Sequence, residues 1–284
     1  TCFQQVLFCF PVPEHFDFRP HKKTGNPVEK VRAKKALGQH FLTDRSIARR
    51  IADTVDGAPN GNVLEVGPGM GILTECLLEK GCRVLAAEID PESVEYLLGH
   101  FPALEGRIVQ GDFLKMDLSG LFAGENFTLI GNFPYNISSQ IMFRALEYTD
   151  RIHRIGGMFQ REVAQRLTAS PGSKVYGILS VLLDVYYRPE YLFTVPETVF
   201  SPPPKVKSGV IRLERREDIP QDFKAEALLR VVKAAFNQRR KTLRNALRPL
   251  GIPSGLADHP LLDRRAEQLS SAEFLDLSRW EWGN

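Results

Sequence analysis

The chain has 284 residues, of which 43% are apolar and 25% are charged, with a formal net charge of +3. This composition is typical of a soluble globular protein with one large and one small domain. No apolar segment reaches the length of a membrane span. The four cysteines form neither a metal-binding nor a disulfide pattern, so we expect no metal and a reducing, cytoplasmic location.

Residues 1–27 are rich in Phe and Pro. Their short apolar stretch has no basic segment before it and no small-residue cleavage site after a full apolar region, so we do not interpret it as a signal peptide. We expect a poorly ordered extension and assign it no function.

From residue 44 onward, helical patterns alternate with strand patterns. Asp44 is placed to cap a helix over 45–55, Gly81 to end a helix over 72–80, and Asp90 with Pro91 to begin the next helix. Strands are predicted at NVLEV (62–66), RVLAAEI (83–89), RIVQGD (107–112), FTLIGN (127–132), IGGMFQ (155–160), LSVLLDVYY (179–187) and SGVIRLERR (208–216). Such alternation indicates an α/β fold with a parallel sheet covered on both faces.

The pattern changes near Glu217, and from about residue 222 only helical segments follow. We therefore predict a main domain over residues 28–216 and a small all-helical C-terminal domain over residues 217–284.

A glycine-rich loop, LEVGPGMG (64–71), lies between the first predicted strand and its helix. Gly67, Gly69 and Gly71 would let a ligand approach the backbone, although a tight turn alone also explains them. Glu88, at the end of the next strand, can accept hydrogen bonds from both ribose hydroxyls of a nucleoside. The G-x-G-x-G spacing differs from that of a dinucleotide site, which disfavours an NAD-dependent dehydrogenase. A carboxylate at Glu65 suits a cationic or zwitterionic ligand such as S-adenosylmethionine.

Two more strand ends carry polar residues, Asp112 and Asn132. Asp112 could accept a hydrogen bond from an adenine amino group, or it could cap the helical segment that follows. Asp90 competes with Glu88 as a ribose ligand, but a helix start at Asp-Pro explains it structurally. Because ligands bind outside the carboxyl ends of parallel strands, we expect Gly67, Glu88, Asp112 and Asn132 to surround one ligand.

The stretch GNFPYNISS (131–139) could be a simple turn with a core tyrosine, or a pocket for a flat base that bears an amino group. Its NFPY sequence resembles the N/D-P-P-Y/F motif of amino-methyltransferases. Further stretches extend the resemblance: KKALGQHFL (34–42), FQREVAQRLTASPGSKVYGILSV and VPETVFSPPPKVKSGVIRL within 159–213, and AFNQRRKTLRNAL (235–247). Over roughly residues 30–275 the chain is similar to the ribosomal RNA adenine dimethyltransferases of the KsgA type.

The resemblance implies a Rossmann-like class I methyltransferase sheet that uses S-adenosylmethionine. It implies dimethylation at N6 of two adjacent adenosines in a loop near the 3′ end of small-subunit (16S) ribosomal RNA, with a role in small-subunit biogenesis. The expected partner is this RNA or an immature 30S particle, with no membrane, and the expected state is a monomer.

The site residues expected from motifs and resemblance fall into three groups. The catalytic residues are Asn132, Phe133, Pro134 and Tyr135. The cofactor-binding residues are His40, Leu42, Gly67, Gly69, Gly71, Glu88, Asp112 and Asn132. Basic clusters, which by themselves are usually solvated surfaces, become RNA-binding candidates with the resemblance: Lys34, Lys35, Arg239, Arg240, Lys241 and Arg244. His40 stands where many relatives have Asn, and a backbone contact would survive that change.

Three rival functions stay open. Methyltransferases of large-subunit RNA share the cofactor and NxPY motifs, although FSPPPKVKS and QRRKTLRN favour the small-subunit enzymes. A DNA amino-methyltransferase is disfavoured because no target-recognition domain is apparent. A ribosome-assembly or mitochondrial-type transcription factor with little catalysis would not need an intact glycine loop, Glu88 and Asn132.

Overall fold

The computed structural model of the chain describes residues 31–283. The extension predicted for residues 1–27 lies outside the described residues. None of the helices within 31–283 has the length and the apolar stretch that crossing a membrane requires.

The helices and strands of the described residues follow in chain order. The α-helices are α1 Arg45–Ala52, α2 Ile72–Glu79, α3 Pro91–His100, α4 Ser138–Leu146, α5 Arg161–Leu167, α6 Ile178–Tyr186, α7 Ala225–Asn237, α8 Leu243–Ala246 and α9 Ser271–Ser278. The strands are β1 Phe41–Leu42, β2 Asn62–Val66, β3 Arg83–Glu88, β4 Ile108–Gln110, β5 Phe127–Asn132, β6 Ile152–Gln160, β7 Tyr187–Val195, β8 Phe200–Ser201 and β9 Ser208–Arg215. Single 3-10 turns occupy Lys35–Leu37, Asp53–Val55, Pro59–Gly61, Pro102–Leu104, Phe113–Lys115, Leu121–Gly124, Glu197–Val199, Arg248–Leu250, Ser254–Leu256, Pro260–Asp263 and Ala266–Gln268.

Seven strands form one sheet in the order β4-β3-β2-β5-β6-β9-β7, and β1 pairs with β8 separately. The pairs from β4 to β6 are parallel, whereas β9 is antiparallel to β6. The predicted α/β fold with a parallel sheet is therefore confirmed, with an antiparallel strand added beyond its parallel part. Because β2 to β5 are parallel, their carboxyl ends meet at one edge, where ligands bind in such folds.

Helix capping follows the prediction. The Asp44 carboxylate accepts hydrogen bonds from the backbone N–H groups of Ser46 and Ile47, and the Asp90 carboxylate accepts one from Glu92 N. Pro91 occupies the first position of α3. These caps satisfy N–H groups that have no partner inside the helix.

The strand predicted at residues 179–187 is wrong. Most of this segment is α6, and the strand β7 begins only at Tyr187. Helix α6 is buried nearly all round, with Leu179, Val181 and Leu182 at most 6% exposed. Uniform burial removes the periodicity that separates a helix from a strand. The predicted strands also missed most of β7, whose Pro189 is tolerated because β7 is the last strand of the sheet among residues 31–283.

The described chain divides into two compact units. One contains residues 31–164 and 190–214, and the other contains residues 165–189 and 215–283. In the second unit α6 packs against α7 and α9, and the Ser271 hydroxyl donates to Asp184 Oδ2 at 2.5 Å. The domain boundary predicted at residue 217 stays a prediction, and the compact units differ from it by grouping residues 165–189 with the C-terminal helices.

Candidate active site

A pocket lies at the carboxyl ends of the parallel strands, within the unit of residues 31–164 and 190–214. It brings together ten of the predicted residues: His40, Leu42, Gly67, Gly69, Glu88, Asp112, Asn132, Phe133, Pro134 and Tyr135. Gly71, also predicted to bind the cofactor, is not among the residues that line it. The four successive strand ends therefore line one cavity, and their contact with one ligand stays a prediction.

The glycine loop has a left-handed backbone, with φ of +68° at Gly67, +57° at Gly69 and +79° at Gly71. A Cβ at Gly69 would lie 2.8 Å from the Phe41 ring, so Phe41 closes over a position that only glycine can fill. The Gly69 N–H donates to Glu88 Oε2 at 3.2 Å, which joins the loop to the end of the neighbouring strand.

Gly71 has a packing role rather than a place in the pocket. A Cβ there would lie 2.8 Å from Phe101 Cζ, in a backbone conformation that already strains an L residue. We expect Gly71→Ala to lower the free energy of unfolding by about 2–5 kcal/mol, since left-handed strain and overpacking add. Gly81→Ala is the matched control, because φ is +75° there and open space surrounds the position. Urea denaturation should show a loss at Gly81 of only about 1–2 kcal/mol, and equal losses would contradict the packing role.

Glu88 is a buried carboxylate held by backbone N–H groups. It is 3% exposed, and Oε1 accepts a hydrogen bond from Asp90 N at 2.8 Å while Oε2 accepts the one from Gly69. Burial raises the pKa of the Glu88 carboxyl despite these hydrogen bonds, and the nearby Asp90 raises it further. The side chain is thus fixed in the pocket wall, with its remaining lone pairs available to a ligand.

Glu65 is 1% exposed in the same wall, and the Thr74 hydroxyl donates to its Oε2 at 2.6 Å. Burial raises the pKa of this carboxyl to about 8, the Thr74 hydrogen bond lowers it, and the charge of Glu88 adds to the rise. The folded protein thus holds a proton that the unfolded chain releases above its ordinary pKa of 4.5.

This shift predicts a pH dependence of stability. The contribution of Glu65 to the free energy of unfolding should be fully present below the ordinary Glu pKa of 4.5 and should be lost as pH rises to about 8, because the unfolded state then binds fewer protons. Glu65→Gln should remove the part of the decline that Glu65 causes and be more stable than wild type at pH 8 by a few kcal/mol, at about 1.4 kcal/mol per pKa unit. Urea titrations across this range check it, with the exposed Glu105→Gln as control. A Glu65→Gln variant that keeps the full decline would contradict this origin.

Asp112 has the capping role that the sequence left open and a position that allows the other. Its carboxylate accepts a hydrogen bond from Leu114 N at 3.0 Å and caps the 3-10 turn that follows, and it also lines the pocket. Lys115 Nζ lies 3.7 Å from Asp112 Oδ2. A role in ligand binding therefore stays a prediction.

The loop after β5 orients Asn132 and Tyr135. Asn132 Nδ2 donates to the His40 carbonyl at 2.9 Å, so the side-chain oxygen of Asn132 stays available as an acceptor. The Tyr135 hydroxyl lies 2.5 Å from that of the buried Ser208, and the Tyr135 ring stacks on His40 with centroids 5.5 Å apart. Phe133 is fully buried and stacks on Phe159, so its side chain anchors the loop in the core.

Residues 34–42 are here called the strap, and residues 37–42 of the strap line one wall of the pocket. Phe41 and Leu42 form β1 and pair with β8, and the His40 ring donates from Nδ1 to the Pro202 carbonyl at 2.8 Å. Through His40 the strap thus contacts both Asn132 and Tyr135.

Comparison with known proteins adds independent evidence. A family profile described as ribosomal RNA adenine dimethylase matches residues 30–280. The chain belongs to this family. The predicted enzyme class, an S-adenosylmethionine-dependent adenine dimethyltransferase with ribosomal RNA as substrate, is thereby confirmed.

Individual proteins similar to this adenine dimethylase support the same family assignment. It is 56% identical to "Ribosomal RNA small subunit methyltransferase A" of Porphyromonas gingivalis, over 88% of this chain and 97% of the relative. It is 53% identical to the protein of the same name from Flavobacterium johnsoniae, over 89% and 97% of the two chains. The solved structure of the 23S rRNA methyltransferase ErmE is 30% identical with a TM-score of 0.61, over 83% and 99%. A dimethyladenosine transferase from Plasmodium falciparum, 23% identical over 84% and 96%, shares the fold with a TM-score of 0.71.

The six basic residues predicted to bind RNA differ in their surroundings in this dimethylase. Lys34 Nζ forms ion pairs with Asp90 at 2.5 Å and Glu92 at 3.1 Å, and Arg244 Nη2 pairs with Asp263 at 2.7 Å. Arg239 donates to the Ser173 carbonyl at 3.2 Å. Lys35, Arg240 and Lys241 are exposed, and within residues 31–283 none of the three has an ion pair.

Two of the pocket residues that sequence reasoning did not assign to the site of this dimethylase are informative, Ile89 and Gln39. Ile89 is 48% exposed although it is apolar, and it lines the cavity beside Glu88. An exposed apolar side chain in a ligand pocket is typical of a surface that a flat ring covers. Its position directly after a strand-end carboxylate was the available signal. Gln39 lines the same pocket, and its partner Asp90 is distant in sequence, so no local pattern indicated it.

Proposed function

We propose that this chain dimethylates N6 of two adjacent adenosines in a loop near the 3′ end of small-subunit (16S) ribosomal RNA and takes part in small-subunit biogenesis. The observation that carries the proposal is the orientation of the Asn132 amide, whose oxygen is kept available in a pocket beside the buried Glu88. Relatives at 53–56% identity are named small-subunit methyltransferases, which favours this substrate over large-subunit RNA.

The pocket suits S-adenosylmethionine. Glu88 would accept hydrogen bonds from the ribose hydroxyls, Asp112 would accept one from the adenine amino group, and Ile89 offers the ring an apolar surface. Gly67 and Gly69 permit close approach to the backbone, and His40 and Leu42 form the opposite wall. When bound, the cofactor supplies an electrophilic methyl group on a positively charged sulfur, open to direct displacement.

The substrate nitrogen is a poor nucleophile because its lone pair is delocalised into the adenine ring. Asn132 Oδ1 and the Phe133 carbonyl would accept hydrogen bonds from the amino group and favour a pyramidal nitrogen with a directed lone pair. Pro134 restricts the turn and removes a competing N–H donor. Tyr135 would stack on the flipped base, a contact worth about 1–3 kcal/mol. Positioning of this kind can supply much of the rate acceleration.

RNA contact is assigned first to the exposed Lys35, Arg240 and Lys241, because their charges have no ion-pair partner within the described residues. Lys34, Arg239 and Arg244 are secondary candidates, since an intramolecular partner would have to be exchanged for a phosphate. RNA affinity should fall steeply with salt if several phosphates are neutralised. The proposed partner is an immature 30S particle in the cytoplasm, and the proposed state of the enzyme is a monomer.

The test is methyl transfer to isolated subunits with labelled S-adenosylmethionine, combined with mass spectrometry of ribosomal RNA from cells with and without the gene. Label in small-subunit RNA, and dimethyladenosine that is absent without the gene, are the expected results. Label only in large-subunit RNA would favour the rival substrate. Binding to the subunit without any transfer would favour a non-catalytic assembly factor.

A further inference from the structure

Asp90 is a buried carboxylate with more partners than a helix cap needs. It is 1% exposed, and within α3 its oxygens accept hydrogen bonds from Glu92 N and the Ser93 hydroxyl, both at 3.2 Å. Outside the helix, Oδ1 is 2.5 Å from Lys34 Nζ and Oδ2 is 3.2 Å from Gln39 Nε2. The two additional donors both come from the strap.

Lys34 and Gln39 are also joined to each other. Gln39 Oε1 accepts a hydrogen bond from the Lys34 backbone N–H at 2.7 Å, while the amide of the same side chain donates to Asp90. Burial alone would raise the pKa of the Asp90 carboxyl, but hydrogen bonds from Lys34 and Gln39 outweigh it and hold that pKa below its ordinary value. Asp90 is therefore ionised at neutral pH, and the ion pair with Lys34 persists there.

This cluster of Lys34, Gln39 and Asp90 is adjacent to both functional ends of the pocket. The Asp90 N–H donates to Glu88 Oε1 at 2.8 Å, on the side where the cofactor is proposed to bind. Gln39 precedes His40, whose carbonyl accepts the hydrogen bond from Asn132 Nδ2. One buried carboxylate thus connects the proposed ribose ligand with the residue that orients the Asn132 amide.

We propose that Lys34, Gln39 and Asp90 are positioning residues that hold the strap against the pocket, so that the His40 carbonyl fixes the orientation of the Asn132 amide. This inference rests on the proposed function of Asn132. It changes the role of Lys34, because an ammonium group paired with Asp90 and Glu92 serves the active site rather than an RNA phosphate.

The decisive variant is Lys34→Met, which keeps the length of the side chain and removes the charge. Its matched control is Lys80→Met, which breaks the ion pairs of Lys80 with Asp53 and Asp56 away from the pocket. At saturating cofactor and RNA, the single-turnover rate of Lys34→Met should fall by about tenfold or more, since displacing a positioned group by an ångström can cost on the order of 10²-fold. Lys80→Met should keep the wild-type rate, and Lys34→Arg should restore much of the loss.

Salt dependence separates this role from phosphate binding. Removing one phosphate contact lowers the slope of log affinity against log salt by about 0.7–0.9. Lys34→Met should leave the slope of binding to small-subunit RNA unchanged, whereas Lys35→Ala should lower it. A lowered slope in Lys34→Met with a normal rate would overturn the inference and return Lys34 to the RNA contacts. An unchanged slope in Lys35→Ala would count against the RNA assignment of Lys35 alone.

Hydrogen exchange of the free protein tests the same cluster without any substrate. Lys34→Met should speed amide exchange in residues 36–42 and in the loop 133–137, because the strap opens more often when its anchor is lost. Lys80→Met should not alter these segments. Unchanged exchange in Lys34→Met would overturn the inference even if the rate fell. Wild-type protein that methylates no small-subunit RNA would refute the proposed function, and the exchange result would still decide whether the cluster holds the strap.

Discussion

Asn132→Ala is expected to abolish methyl transfer while it leaves the affinity for S-adenosylmethionine within about tenfold, a change of ~1.4 kcal/mol. Removing one preorganised hydrogen-bonding group from an active site costs on the order of 10²–10³-fold in rate. In this protein the cost should reach at least that size, because the amide is held at one end by the His40 carbonyl and no other side-chain amide of the β5–α4 loop lines the pocket. Single-turnover methylation of small-subunit RNA, with cofactor binding measured separately by calorimetry, distinguishes the two effects.

The matched control for Asn132→Ala is Asn126→Ala, at the opposite end of the same strand. Asn126 precedes β5 and is not among the residues that line the pocket. The Asn126→Ala enzyme should keep the wild-type rate of methyl transfer and the wild-type affinity for S-adenosylmethionine. An Asn132→Ala enzyme that still dimethylates at nearly the wild-type rate would refute the proposed mechanism.

Glu88→Gln is expected to weaken cofactor binding by about 100-fold, or ~3 kcal/mol, with little change in RNA affinity. Hydrogen bonds to a charged group contribute about 1.5–3 kcal/mol each, and two ribose hydroxyls would lose the carboxylate. The Glu88 carboxylate now accepts hydrogen bonds from the backbone N–H groups of Gly69 and Asp90. The side-chain amide of Gln at this position would place its own N–H group against one of these two donors, and that hydrogen bond would be lost. Calorimetric titration with S-adenosylmethionine measures the loss.

The pH dependence of cofactor binding gives a second test of Glu88. Burial raises the pKa of its carboxyl, and only the ionised form accepts from both hydroxyls, so affinity should decline as the pH falls through that pKa. Glu88→Gln should lose this decline, whereas Glu95→Gln, exposed on α3, should retain it with wild-type affinity. Wild-type affinity in Glu88→Gln would remove Glu88 from the cofactor site.

Local sequence patterns predicted the structure correctly where it depends on interactions between residues close in sequence. The caps at Asp44 and Asp90 depend on donors within three residues, and the sequence indicated both. The strand-end positions of Glu88 and Asn132 could be combined into one site because parallel strands bring their carboxyl ends to one edge. The strand prediction for residues 179–187 failed, because a uniformly apolar sequence shows neither helical nor strand periodicity.

The type of a residue and its place in a motif did not determine its role in two pairs of similar residues. Gly69 and Gly71 have the same backbone conformation, yet only Gly69 lines the pocket, while Gly71 is required by the Phe101 ring. Lys34 and Lys35 are neighbours of equal charge, and only Lys34 has a buried carboxylate as its partner. Neither difference can be inferred from composition or spacing.

The sequence by itself determined the family, the order of the parallel strands' functional ends and ten of the residues that line the pocket, but not Gln39 or Ile89. Only the tertiary structure decided how those residues are held: Asn132 by a carbonyl 92 positions away, and the strap by a carboxylate 56 positions from Lys34. Local sequence sets backbone conformation and capping, because those depend on near neighbours. The direction in which an amide points, and whether a lysine is free to bind phosphate, depend on groups that come together only when the chain folds.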